Sequence, residues 1–305
     1  MLDDLNELKT FRAILVAGSL SAAARGLGVT LAVVSKRLLT LEKRAGVRLI
    51  QRSTRSLRAT EEGARLLGTV ERALAAIEDG ERVLAGGRDE PVGLLRVTAP
   101  VSFGRRCVAP VLGELARRHP LLSVSLGLTD RVVDLVGEGF DVAVRIGTLA
   151  DSSAVMRRLA DNRRVLVAAP NYLDRAGRPD APETMAGHDF LRYGGAVEPW
   201  RLHGPDGRTT SIEAIPRLQV DNGDTVHDWA LSGFGIMFKS ELDVVEDLAA
   251  GRLERVLPGW HGGESPVVAL FPSARHMPLR TRVLLDALAA RLSALAATGT
   301  GVGAG

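Results

Sequence analysis

The chain is 305 residues long, 46% hydrophobic and 25% charged, which is ordinary for a soluble globular protein and long enough for two or three domains. A single cysteine, Cys107, excludes an internal disulfide and a cysteine-rich zinc site and fits a reducing, cytoplasmic compartment. The start Met1-Leu2-Asp3-Asp4 lacks the pattern of an export signal and no apolar run approaches the length of a bilayer span, so neither export nor a membrane is expected.

The net charge of +3 hides an asymmetry. Residues 1–60 hold eleven Lys and Arg against four Asp and Glu, a balance of +7, which leaves −4 for the remainder. A basic N-terminal module on a mildly acidic body fits DNA binding at one end only. Lysine occurs only at Lys9, Lys36, Lys43 and Lys239.

In chain order, the first helix is expected over residues 3–17, where Leu5, Leu8, Phe11 and Leu15 make one apolar stripe. Asp3 and Asp4 suit its start and Gly18 its end. A short Ala-rich helix over residues 22–27 then meets a turn at Gly28, and a further helix opens at Thr30. Ser21 and Thr30 are the expected N-caps. Ser35, Lys36 and Arg37 fall on an exposed face of the helix after Thr30. Two helices joined this way form a helix-turn-helix, whose second helix enters the DNA major groove. Residues 48–51 and 57–59 read as two short strands around Arg52-Ser53-Thr54-Arg55, the wing of a winged helix-turn-helix.

Thr60 is the expected cap of a long helix reaching residue 84, roughly 37 Å at about 1.5 Å per residue. Leu67, Val70, Leu74, Ile77 and Leu84 recur along it as a heptad seam, broken once by Glu81. The expected partner for that seam is the same helix of a second subunit; packing on its own chain is the alternative. A Gly- and charge-rich stretch over residues 86–91 reads as a linker.

Beyond Gly93, strands are expected over residues 94–98, 122–128, 141–146, 165–169, 235–238 and 267–271. Helices are expected over 104–118, 130–137, 172–176, 182–186, 224–232, 241–249 and 279–296. This alternation predicts an α/β body with mostly parallel sheets, interrupted by a hairpin region near 194–210 with a turn at Asp206-Gly207. The Gly-rich stretch 298–305 reads as a disordered tail.

In open α/β sheets ligands bind beyond the C-terminal ends of strands. One such end is Pro100-Val101-Ser102-Phe103, where backbone N–H groups and the Ser102 hydroxyl can hold an anion, or Ser102 can simply cap the helix. A second is Arg145-Ile146-Gly147, where Arg145 can grip a carboxylate or form an ion pair. A third is Asn222-Gly223, with Asn222 as ligand contact or as cap. Trp200 lines a cleft wall or packs in a core. Cys107 reads as a small buried hydrophobe, with redox sensing as the rival if it is exposed and its pKa is lowered. No catalytic signature appears: the six histidines lack zinc-site spacing, and there is no Gly-x-Ser-x-Gly elbow or Walker loop. No enzyme activity, cofactor or metal is expected.

Specific residues carry a family likeness. In the head they are Phe11, Gly18-Ser19-Leu20-Ser21-Ala22-Ala23-Ala24, Val34-Ser35, Leu41-Glu42, Gly46-Val47-Arg48-Leu49, Arg52-Ser53-Thr54-Arg55 and Thr60-Glu61-Glu62-Gly63. In the body they include Leu95-Arg96-Val97-Thr98-Ala99-Pro100, Gly139-Phe140-Asp141-Val142-Ala143-Val144-Arg145-Ile146-Gly147 and Gly233-Phe234-Gly235-Ile236. With these residues the chain resembles the LysR-type transcriptional regulators over nearly its whole length. One departure is Leu31, where family members often carry a polar residue such as Gln; an apolar side chain cannot make the bidentate adenine contact.

The resemblance implies an α plus α/β fold: a winged helix-turn-helix over residues 1–60, a linker and dimerisation helix over 61–88, and a two-lobed effector domain over 89–297 like periplasmic solute-binding proteins. Lobe one would hold about 91–163 and 266–297, and lobe two about 164–265. DNA contacts fall to Ser21, Thr30, Leu31, Val33, Ser35, Lys36, Arg37, Arg52, Ser53, Thr54 and Arg55. Effector contacts fall to Pro100, Val101, Ser102, Phe103, Arg145, Ile146, Gly147, Trp200, Asn222 and Gly223. The implied partners are a double-stranded operator, a small organic anion and further copies of the chain as dimer or tetramer, with RNA polymerase an eligible fourth. The rivals are an architectural DNA binder without effector and a solute-binding or enzymatic body carrying a basic head.

Overall fold

A computed structural model describes residues 3–52, 57–84, 90–135, 137–147, 154–195, 198–272 and 277–300. They fall into two units, Met1–Asp89 with Val133–Phe140, and Glu90–Val132 with Asp141–Gly305. Among the described residues no helix is long and apolar enough to cross a membrane.

In the first unit, the Asp4 carboxylate accepts the Asn6 and Glu7 N–H groups at 2.8 and 3.3 Å and starts α1 (Leu5–Ala17). The cap of α2 (Leu20–Leu27) is Ser19, whose hydroxyl accepts the Ala22 N–H at 3.1 Å. Sequence reading places that cap at Ser21, but Ser21 already lies inside the helix, and only a residue in extended conformation before the first turn can reach back to it. Thr30 does cap α3 (Leu31–Ala45), accepting the Val33 N–H at 3.4 Å. All three helices end at glycines with φ between 65° and 72°, where a side chain would be strained.

A hairpin of β1 (Ile50–Arg52) and β2 (Leu57–Ala59) follows, with Ile50 opposite Ala59. Glu42 ties it to α3: one carboxylate oxygen accepts the N–H groups of Leu49 and Ile50 at 2.9 and 3.1 Å. Thr60 donates its hydroxyl to the Arg48 carbonyl at 2.8 Å and accepts the Gly63 N–H at 3.0 Å, so it caps α4 (Glu61–Leu84) and anchors it to the hairpin together. Gly63 is needed there, because a Cβ would lie 2.0 Å from the Leu49 carbonyl oxygen.

The helical core of this unit contains Phe11, Ile14, Val34, Leu38 and Leu41, and it also takes in Val70 and Leu74 of α4. This corrects the seam. Val70 and Leu74, 2% and 1% exposed, complete the core of their own head, and Leu67 packs partly against it. Ile77 remains 39% exposed, and the side chain of Leu84 lies outside the described residues. The expected linker over residues 86–91 lies outside them except at its last two positions.

The second unit holds two five-stranded sheets. Elements run from β3 (Gly93–Ala99) through α5 (Val101–Phe103), a π-helical turn over Gly104–Val108, α6 (Ala109–Arg118), β4 (Leu122–Leu128) and β5 (Val142–Ile146) to β6 (Val155–Ala160). They continue with β7 (Arg164–Ala168), α7 (Pro170–Ala176), β8 (Phe190–Tyr193), the hairpin β9 (Trp200–His203) and β10 (Thr209–Ile212), β11 (Pro216–Val220) and α8 (Gly223–Leu231). Last come β12 (Ile236–Ser240), α9 (Glu241–Ala249), β13 (Glu254–Val256), β14 (Val267–Phe271) and α10 (Leu279–Thr300).

Lobe one has the strand order β4-β3-β5-β14-β6 and lobe two β11-β8-β12-β7-β13. Both sheets are mixed, not mostly parallel: β14 runs antiparallel to β5 and β6, and β7 antiparallel to β12 and β13. The reversals follow from the chain crossing between lobes twice, which returns β14 to the first sheet from the opposite end. Asn162 pins the two crossings together. Its amide donates to the Ser265 carbonyl at 2.6 Å and its oxygen accepts the Ser240 hydroxyl and the Leu242 N–H at 2.9 and 3.2 Å.

Two further expectations fail. Residues 130–137 form bends and turns, with Val136 outside the described residues, because Asp134 uses its carboxylate to accept the Gly137 N–H and closes a turn. Residues 298–300 belong to α10, while 301–305 lie outside the described residues.

Cys107 is 3% exposed within the core of lobe one. Burial first, then the nearby Asp243 and Glu246 carboxylates, push its thiol up to about 12. Native protein is therefore expected to resist thiol-labelling reagents at pH 8 and to react at the rate of a free thiol once unfolded in urea; fast labelling of the native chain would contradict this burial. For the head, Leu74→Ala should cost about 2–5 kcal/mol and Ile77→Ala under about 1 kcal/mol in urea unfolding followed by circular dichroism. Equal costs would place Leu74 outside the head core.

Candidate DNA-binding face and interlobe site

The face of α3 turned to solvent carries Leu31, Ala32, Lys36, Leu39 and Lys43, spaced so that they share one side of the helix. Leu31 and Leu39 are 50% and 57% exposed, so aliphatic surface stands beside the two ammonium groups. Ser35 is half-buried at the edge of this face, and Val33 flanks it. Arg37 points elsewhere: its guanidinium donates to the buried Thr10 hydroxyl at 3.4 Å, bracing α3 on α1. This corrects its placement on the exposed face. Arg44 is likewise engaged, with Asp3 and Glu7. Ser21 is exposed on α2, and Thr30 is spent as a cap. Arg52 ends β1; Ser53, Thr54 and Arg55 lie outside the described residues.

In the second unit the strand-end loops meet across the lobes. β3 ends in the completely buried Thr98 and Ala99 and leads through Pro100 into α5. The Val101 N–H, at the start of that helix, donates to one carboxylate oxygen of Asp130 at 3.0 Å. The Gly223 N–H, at the start of α8 in lobe two, donates to the other at 2.9 Å. Next to this bridge the Ser102 hydroxyl donates to Asp243 at 2.9 Å, and Lys239 lies 3.2 Å from the same carboxylate oxygen. The Lys239 ammonium also donates to the Gly223 carbonyl. Tyr193 at the end of β8 completes the group, its ring centroid 5.6 Å from the Lys239 ammonium. Burial, then the Asp130 and Asp243 carboxylates, push the Tyr193 phenol up against the opposing pull of Arg164.

Several expected contacts are elsewhere. Phe103 is 1% exposed and belongs to the lobe-one core, which also contains Leu95 and Val97, rather than facing a ligand. Trp200 is a core residue of lobe two, edge-on to Phe190 with centroids 5.3 Å apart. Arg145 folds back along its own strand, donating to the Val144 carbonyl at 2.8 Å and the Thr98 hydroxyl at 3.4 Å. Ile146 packs on the lobe-one core, and the Gly147 N–H is bound by the Pro266 carbonyl at 2.9 Å. Asn222 caps α8 by accepting the Asp224 and Thr225 N–H groups at 2.9 and 3.1 Å. Ser102 joins a buried acid rather than an open anion hole.

Asp130, Lys239, Asp243 and Tyr193 escape sequence reading. A signal exists for Lys239: it interrupts the apolar run Ile236-Met237-Phe238, all five residues of β12 are buried, and a charge inside such a strand requires a partner. Asp243 stands four residues on. Two ionic contacts also join the lobes farther along, where Arg105 meets Asp224 at 2.9 Å and Arg106 approaches Asp247 at 4.0 Å. The fully buried His227 bonds Asp247 at 2.8 Å from the lobe-two side.

Residues 5–64 match the family described as bacterial regulatory helix-turn-helix protein, lysR family, and residues 88–293 match the LysR substrate binding domain. The HTH-type transcriptional regulator DmlR of Escherichia coli K12 is 34% identical over 93% of this chain and 93% of its own length. The HTH-type transcriptional activator AaeR of the same organism is 30% identical, with 94% and 93% covered. Among solved structures, CrgA, a LysR-type transcriptional regulator from Neisseria meningitidis, is 30% identical, with a TM-score of 0.61 over 94% of this chain and 98% of its own. A full-length OxyR variant from Pseudomonas aeruginosa, at 17% identity, shares the fold, with a TM-score of 0.65 over 94% and 95%. Head and body are thus matched separately and together, by regulators rather than enzymes. The chain belongs to the LysR family of bacterial transcriptional regulators, with an N-terminal helix-turn-helix for DNA and a C-terminal domain for a small-molecule effector.

Proposed function

We propose that the chain acts in the cytoplasm as a dimer or tetramer on a pseudo-palindromic operator, and that a small organic anion seated between its lobes modulates that binding. The observation that carries the reading is the exposed face of α3, where Lys36 and Lys43 flank Leu31 and Leu39. Ammonium groups suit phosphates, and exposed aliphatic side chains suit thymine methyl groups in the major groove. Arg52 and Arg55, with Ser53 and Thr54 between them, are assigned to backbone contact from the wing. Self-association runs along α4 through the exposed Ile77 and the segment ending at Leu84, since Val70 and Leu74 are taken up by the head. The effector reaches the Val101 and Gly223 amides, and a change in lobe geometry is passed to the heads. RNA polymerase is a further partner of this reading.

The test is a salt titration of operator binding, using DNA from upstream of the chain's own gene and random DNA of equal length. Lys36→Ala and Arg55→Ala should each lower the salt slope by about one per lost phosphate contact and weaken both DNAs alike. Leu39→Ala should instead reduce the preference for the specific DNA. Equal affinity of the unmodified protein for both DNAs across the titration would overturn the regulator reading.

A further inference from the structure

The Asp130 carboxylate is held by one backbone N–H from each lobe, Val101 at 3.0 Å and Gly223 at 2.9 Å, one donor to each oxygen. Two convergent donors spaced for two oxygens form a cradle for a carboxylate, and the group in it belongs to the protein itself. Asp130 sits in a bend after β4, outside the apolar cores, so its side chain can leave for water without disturbing them. The neighbourhood is crowded with polar groups: a Cβ built on Gly223 would lie 3.4 Å from Asp130, 3.6 Å from the Lys239 ammonium and 3.9 Å from Ser102. One carboxylate replacing another there leaves the local charge unchanged. A neutral ligand would leave the cradle's donors with no charged acceptor.

A second observation concerns Asp243, which shares Ser102 and Lys239 with the surroundings of the cradle. The Asp243 side chain is 2% exposed. Ser102 and Lys239 both engage its Oδ2, while its Oδ1 is buried with no hydrogen-bond partner. A buried carboxylate oxygen is strongly disfavoured without a donor, and the described side chains supply none. A ligand hydroxyl or N–H group brought beside Asp243 would supply that donor.

The geometry points to a self-occupied effector seat: Asp130 is an internal competitor in the carboxylate cradle, and the effector is a small hydroxy-carboxylate that displaces it and donates its hydroxyl to Asp243. This rests on the proposed effector reading and adds to it a ligand class and a threshold. While Asp130 holds the cradle, only the fraction of molecules with an empty seat binds ligand, and the apparent affinity falls by that fraction.

Calorimetric titration of the full-length protein with lactate and with propionate, which lacks only the hydroxyl, tests both halves. Removing the competitor in Asp130→Ala should tighten lactate binding about tenfold. Propionate should bind more weakly than lactate in both proteins, because it cannot reach the Asp243 acceptor. The isosteric Asp130→Asn carries the same test, with a smaller gain, if Asp130→Ala does not fold. Unchanged or weaker lactate affinity in these variants, equal affinity for the two acids, or no heat from either acid would overturn the inference. Operator binding by the unmodified protein without any acid reports on the regulator reading separately, so a failure of one is distinguishable from a failure of the other.

Discussion

The Asp243 carboxylate is almost wholly buried, and its two partners, the Lys239 ammonium at 3.2 Å and the Ser102 hydroxyl at 2.9 Å, come from different lobes. Breaking a buried pair of this kind costs about 3–5 kcal/mol, because the remaining charge is stranded away from water. The constraint fixes more than one distance. It holds the end of β12 and the start of α9 against the first turn after β3, and through the Lys239 ammonium it sets the Gly223 carbonyl. Once Gly223 is placed, its N–H lies within reach of Asp130, and the Val101 N–H takes the other oxygen of the same carboxylate. At their strand ends the lobes meet through polar groups, while Leu242 and Val245 of α9 are buried in the lobe-one core and Asn162 fixes the crossings.

The head depends on a comparable economy of polar contacts. Glu42 and Thr60 between them bind Arg48, Leu49, Ile50 and Gly63, so the hairpin, α3 and α4 are oriented by two side chains. Arg37 and Arg44 brace α3 from behind. What remains on its open side is Lys36, Lys43 and two leucines, exposed to solvent. The core beneath is closed by Val70 and Leu74, so the long helix is part of the head's stability before it is anything else.

Helix caps and periodicity are the legible part of the sequence. Thr30, Thr60, Gly18 and the apolar stripe of α1 announce their elements because local chemistry alone decides them. Residues whose role depends on a distant neighbour are the ones that sequence reading misplaces or misses. Val70 and Leu74 repeat at heptad spacing, and spacing cannot say whether a stripe meets another subunit or its own domain. Short strands such as β8 and β11 escape notice because four or five residues with arginine among them carry little pattern. The cradle itself joins Val101, Asp130 and Gly223, far apart in the chain and unremarkable singly. Phe103, Trp200 and Arg145 draw attention by residue type, but tertiary packing uses the first two as core and turns the third along its strand.

The claim that one carboxylate is held between the two lobes is most directly tested by amide hydrogen exchange at Val101 and Gly223. Peptides covering residues 99–104 and 221–226 should exchange slowly in the unmodified protein, where Asp130 binds both N–H groups. In Asp130→Ala both should exchange faster, and added lactate should slow them together, because a single ligand would engage both lobes. Exchange that is unaffected by Asp130→Ala, or that responds to lactate in one segment alone, would contradict the account.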